Sequence, residues 1–139
     1  MNKTAHLELV NVEQGLRLRV AVGSGQSMTL DSGEGMQAPD PVETLLAALG
    51  GCHAMDVISI LRKKRQRVTS YTVDVQGERR TEHPRSFTRI EMMHRLRGHS
   101  LNAGAVAEAI RLSETKYCSV RFSLDPAIVL INRFEVLPA

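Results

Sequence analysis

The chain reads as an α+β domain, and three observations carry that reading. Period-two strands fill its first thirty residues, one helix apolar on every side follows, and the second half runs strand, strand, helix, strand. Strands grouped apart from helices do not give the regular βαβ alternation of a parallel α/β sheet. With 139 residues there is enough chain for one domain with its own core, and 1–139 is read as that single domain. No internal repeat is visible.

The first strand surrounds Leu7 and Leu9, which alternate with Glu8 and Val10 and leave its inner side open. Gln14-Gly15 turns the chain into Leu16–Val22, where Leu16, Leu18, Val20 and Val22 share one face and Arg17 and Arg19 the other. Gly23-Ser-Gly25 makes a hairpin loop to a short strand, Ser27–Leu30. A glycine-rich loop, Asp31–Pro39, then delivers the chain to the helix.

That helix has a strong start. Asp40 suits the N-cap, Pro41 the first helical position and Glu43 the third, so Asp40 and Glu43 can satisfy each other's backbone N–H groups. Arg62-Lys-Lys-Arg65 complements the negative pole at its far end. Between Thr44 and Met55 no residue carries a full charge, and apolar side chains fall all around the axis. Such a helix is buried all round. One sheet shields only one side of it, so a symmetric partner is expected to cover the rest, making the protein a homodimer.

Beyond the helix, Val68–Val75 and Phe87–Leu96 form a hairpin across the polar turn Thr81–Arg85, with Ile90, Met92, His94 and Leu96 in phase. Ser100–Leu112 is an amphipathic helix with Ala103, Val106, Ala107 and Ile110 on its core side. Lys116–Val120 is expected to end it and open a return strand, and Ala127–Ile131 through Val136 to close the chain as the last strand.

Composition narrows the function. A net charge of +3 is mild, and few aromatics accompany the basic run Arg62–Arg67, so no nucleic-acid partner is expected. The N-terminus lacks an apolar signal core. The longest apolar run falls short of the roughly 20 residues that cross a bilayer, so a cytoplasmic protein with no membrane partner is expected. Two distant cysteines, Cys52 on the central helix and Cys118, make no disulfide framework; in a reducing compartment they are inert buried thiols or a redox pair. No Cys-x-x-Cys motif is present. As metal ligands Cys52, His53, His94 and Cys118 lack a recognised spacing, and neighbours such as Cys52 and His53 point about 100° apart on a helix. No metal is expected. Asp56 lies one turn beyond Cys52, where a carboxylate in an apolar helix needs a specific partner or lies beside a site. His53, next to Cys52 and so near the candidate site, reads as a packing or interface histidine rather than a base.

Pro41-Val-Glu43-Thr-Leu-Leu-Ala-Ala-Leu-Gly-Gly-Cys52, with Tyr117-Cys118-Ser-Val120 much later, resembles the OsmC/Ohr family of osmotically inducible and organic-hydroperoxide-resistance proteins. The likeness covers nearly the whole chain. Asp56 and the basic helix end make it most similar to the less characterised OsmC-like branch. The resemblance implies the OsmC-like fold, an intertwined homodimer and a thiol peroxidase serving oxidative-stress defence without metal, haem or flavin. Cys52 would attack the O–O bond of an organic hydroperoxide and become a sulfenic acid; Cys118 would condense with it to a disulfide that an external dithiol reduces.

The family's activating groups are a glutamate and an arginine. Its glutamate directly follows a proline, ten residues before the reactive cysteine. Here Val42 holds that place and Glu43 is nine before, about half a helical turn out of line with Cys52. A partner-chain glutamate, or a break at Gly50-Gly51, would restore the contact. Arg17 and Arg19 are the arginine candidates, and equally the solvated face of their strand. The alternative is a non-enzymatic protein that binds a small apolar ligand at the dimer interface.

Overall fold

The computed structural model describes all residues, Met1 to Ala139, and they divide into two compact units, Met1–Leu45 and Leu46–Ala139. The first holds β1 (Ala5–Leu9), β2 (Leu18–Val22) and β3 (Ser27–Leu30), an antiparallel meander in that order. Leu7 lies opposite Val20, and Val20 opposite Met28. Directly opposed residues share a face, so these three make one apolar row. Only Val20 is buried; Leu7 and Met28 remain 49% and 42% exposed. Leu16, expected on the same face, lies ahead of β2 and is exposed.

The central helix, α1, spans Pro41–Lys63. Its start is the capping box expected: Glu43 N–H donates to Asp40 Oδ1 at 2.7 Å, and Asp40 N–H donates back to Glu43 Oε1 at 3.1 Å. At 23 residues, α1 is long and apolar enough to cross a membrane by length and composition, longer than the apolar run alone suggests because both charged ends are helical. The core helix of a soluble protein passes the same test, and one side of α1 is packed in that way, with Leu49, His53, Val57 and Leu61 buried at i, i+4 intervals. The stripe is narrow. Ala47, Ala48, Met55 and Ser59 are exposed on the other sides.

In the second unit β4 (Arg67–Arg79) and β5 (Phe87–His99) form the long antiparallel hairpin, and β6 (Val129–Pro138) runs parallel to β5. Ile90, Met92, His94 and Leu96 are all buried, as their phase predicts. The crossover from β5 to β6 carries α2 (Ala103–Leu112), whose Val106, Ala109 and Ile110 meet Val57, Leu61 and Leu96 in the core. Two expectations fail here. The helix starts at Ala103 because Ser100 adopts a left-handed φ of 53° and Asn102 caps the end, its side chain accepting from Ala105 N–H. Ala103 and Ala107 are exposed while Ala109 is buried, a rotation of the core face toward Ile110.

A third correction concerns Lys116–Val120. No strand opens there. A π-helical turn, Ser113–Tyr117, extends α2, and a short helix, α3 (Ser119–Phe122), follows, with the next strand beginning at Val129. Cys118 sits between the two, its N–H bonded to Ser113 C=O at 2.9 Å across the wide turn.

Candidate functional site: two cysteines joined by a histidine and a π-helical turn

The π-helical turn is pinned to α1 at both ends. At its start Ser113 O–H donates to Asp56 Oδ2 at 2.8 Å. At its end Cys118 Sγ lies 3.1 Å from His53 Nδ1. His53 and Asp56 are three positions apart, so they stand on one side of the helix, one turn above the other. This answers the expectation that Asp56 needs a specific partner: the partner is Ser113.

Cys52 lies one turn before Asp56 and completes the cluster. Its Sγ, the Cys118 Sγ and an Asp56 carboxylate oxygen all lie within 4.8 Å of one another. Both cysteines are free thiols; Cys52 is half-buried and Cys118 fully buried. Donors at this spacing can share an ion. With no ion assigned, we read the group as two thiols and an acid. On another side of α1, between Ala47, Gly50, Gly51 and Ala54 and Tyr71, Val73 and Val75 of β4, runs a shallow apolar groove of about 280 Å³.

Burial sets the electrostatics. Cys118 caps α3, its sulfur accepting from Arg121 N–H at 3.3 Å, a contact that favours thiolate. Desolvation outweighs it and, with Cys52 adjacent, pushes the Cys118 thiol up to about 11. His53 is pulled down to about 4, chiefly by burial, with the nearby His94 adding to the effect. Its Nε2 has no hydrogen-bond partner although it is buried. Beneath it, His94 Nε2 donates to Asn132 Oδ1 at 2.8 Å, which leaves Nδ1 to accept from Tyr71 O–H at 2.7 Å. Asn132 in turn donates to Glu114 Oε2 at 3.2 Å, tying β6 to the π-helical turn.

The other sequence candidates have partners of their own. Arg17 Nε donates to Asp31 Oδ2 at 3.0 Å, Arg19 is an exposed residue 3.9 Å from Glu8, and Glu43 holds the N-cap of α1. Arg121, Ser113 and Asn132 escaped the sequence reading. Ser113 and Asn132 matter only through contacts with distant residues, and Arg121 through a cap on Cys118 three residues back that no local periodicity marks. For Ser113 there was one clue, the unpaired carboxylate of Asp56.

Two neighbouring thiols, one on the central helix and one at a helix cap, define a dithiol protein on an α+β scaffold. The chain belongs to the OsmC-like protein family, whose model matches residues 32–131. Protein YhfA of Escherichia coli K12 is 42% identical over 126 residues, which cover 91% of this chain and 94% of that protein. A crystal structure of a hypothetical protein from Aquifex aeolicus VF5 is 30% identical, with a TM-score of 0.88 over 100% of this chain and 98% of that one. The organic hydroperoxide resistance protein OhrB of Bacillus subtilis shares the fold at 9% identity, with a TM-score of 0.65 over 97% and 98% of the two chains.

Proposed function

We propose that this protein is a thiol peroxidase for organic hydroperoxides, acting as one cytoplasmic OsmC-like domain over residues 1–139 and cycling through a Cys52–Cys118 disulfide. The observation that carries this reading is the approach of the two sulfurs to within 4.8 Å. A shift of an ångström or two from each side chain brings them to bonding distance. Cys52, the more accessible thiol, attacks the distal oxygen of the hydroperoxide, releasing an alcohol and leaving a sulfenic acid. Cys118 then displaces water to close the disulfide, and an external dithiol restores both thiols. Arg17 and Glu43 would have to exchange Asp31 and the Asp40 N–H to assist Cys52.

One equivalent of an alkyl hydroperoxide added to reduced protein is expected to remove two thiols and two hydrogens in mass. Cys52→Ser abolishes the change. Thiols that survive excess hydroperoxide would refute the reading.

A further inference from the structure

The peroxide reading uses both sulfurs and leaves His53 without a task. Its imidazole is fully buried, unlike the half-buried Cys52 next to it; its one side-chain partner is the Cys118 sulfur at 3.1 Å, and the Leu49 backbone carbonyl also lies against the ring. A buried histidine with an orphaned nitrogen calls for an explanation. With the proton on Nε2, the Nδ1 lone pair faces the thiol, which is how a base stands to the proton it removes.

We propose, resting on the thiol-peroxidase reading, that His53 is the base of the disulfide-forming step. As Cys118 Sγ attacks the sulfenic sulfur of Cys52, its proton moves to His53 Nδ1. The Sγ–Sγ bond forms and the S–O bond of Cys52 breaks. The departing hydroxide takes the proton from Nδ1 and leaves as water. The sulfenic sulfur is reduced and the Cys118 sulfur oxidised, so no further reagent enters. Arg121 N–H, 3.3 Å from Cys118 Sγ, steadies the charge that builds on sulfur as the proton leaves.

The surroundings keep the pair neutral until it is needed. His94 on β5 and Arg121 on α3 both oppose a charged His53, while Cys52 and Asp56 flank it on α1 and Cys118 faces it. Burial raises the Cys118 thiol, and only a thiolate attacks a hydroperoxide. Cys118 therefore waits as a thiol until Cys52 presents an electrophilic sulfur, and the imidazole does not hold the proton afterwards.

The test separates the two steps. Reduced protein is mixed with one equivalent of an alkyl hydroperoxide; a dimedone-type trap reads Cys52 sulfenic acid, and non-reducing mass analysis reads disulfide. His53→Asn keeps a polar group near the Nδ1 position but no base. It should form sulfenic acid as fast as the wild type and close the disulfide about 100-fold more slowly. Closure in the variant should also rise with pH, about tenfold per unit, as the thiolate fraction grows; wild-type closure should stay nearly flat across neutral pH. The same contrast is expected when Cys118 attacks a Cys52–thionitrobenzoate mixed disulfide, which needs no hydroperoxide. Wild-type closure rates in His53→Asn, or a tenfold rise per pH unit in the wild type itself, would overturn the proposal, and the second readout needs no variant to fold. Failure of the peroxidase reading looks different: no sulfenic acid forms, yet the mixed disulfide still resolves with the His53 dependence.

Discussion

Burial of His53 costs stability in acid. Its ordinary value of 6.5 falls to about 4 in the folded chain. Above pH 6.5 the imidazole is neutral in both states and the folded state keeps its full margin. As pH falls toward 4 the unfolded chain binds a proton that the folded chain refuses, so stability declines; below about 4 the folded imidazole protonates too and this contribution levels off. The loss through this window is at most about 3 kcal/mol. His94, lowered by its own burial, adds to it with the same sign. Asp31, held low by Gln37 N–H and Arg17, contributes only in stronger acid, below the ordinary carboxylate value. Denaturant unfolding at neutral pH and near pH 5 and 4 should show the decline, with a shallower slope in His53→Asn. Equal slopes in the two proteins would deny that His53 is buried neutral.

At the scale of elements, α1 approaches β4 closely because Gly50 faces Val75. A Cβ on Gly50 would lie 2.7 Å from Val75 Cγ2, too near for either to stay in place. Gly50→Ala should therefore cost roughly 1–3 kcal/mol, and Val75→Ala, which removes the obstructing methyl, should recover part of it in a double-mutant cycle. Additive losses would show that the helix is not seated on Val75. What was legible in the sequence follows from how local each cause is. The start of α1 lies within four consecutive residues, and the inward row of β5 within its own alternation, so both could be read directly. The π-helical turn could not. Ser113–Tyr117 takes that form where its ends are pinned to Asp56 and His53 on another helix, and a run such as Lys116–Val120 carries nothing of that distant pull. Hence Cys52 and Cys118 were readable as a pair through family resemblance and His53 as a neighbour of Cys52, but the contact of His53 with Cys118 was not.

For the molecule as a whole, the apolar surface left uncovered decides the expected assembly. Monomers normally bury their large apolar side chains or scatter them. Here Met55 is 71% exposed on a helix whose neighbouring residues Ala47 and Ala48 are also open, and the row containing Leu7 and Met28 on β1–β3 is open too. A three-stranded sheet and one stripe of α1 leave these faces in water, and a second copy of the chain supplies matching faces by symmetry. Light scattering should therefore report about twice the 15.4 kDa of one chain. Met55→Lys, which places a charge on the exposed side of α1, should shift the protein toward the monomer and lower its melting temperature in a concentration-dependent way. A wild-type protein that scatters as 15.4 kDa across micromolar concentrations would mean that α1 tolerates its exposed apolar side, and that the dithiol site works within a single chain.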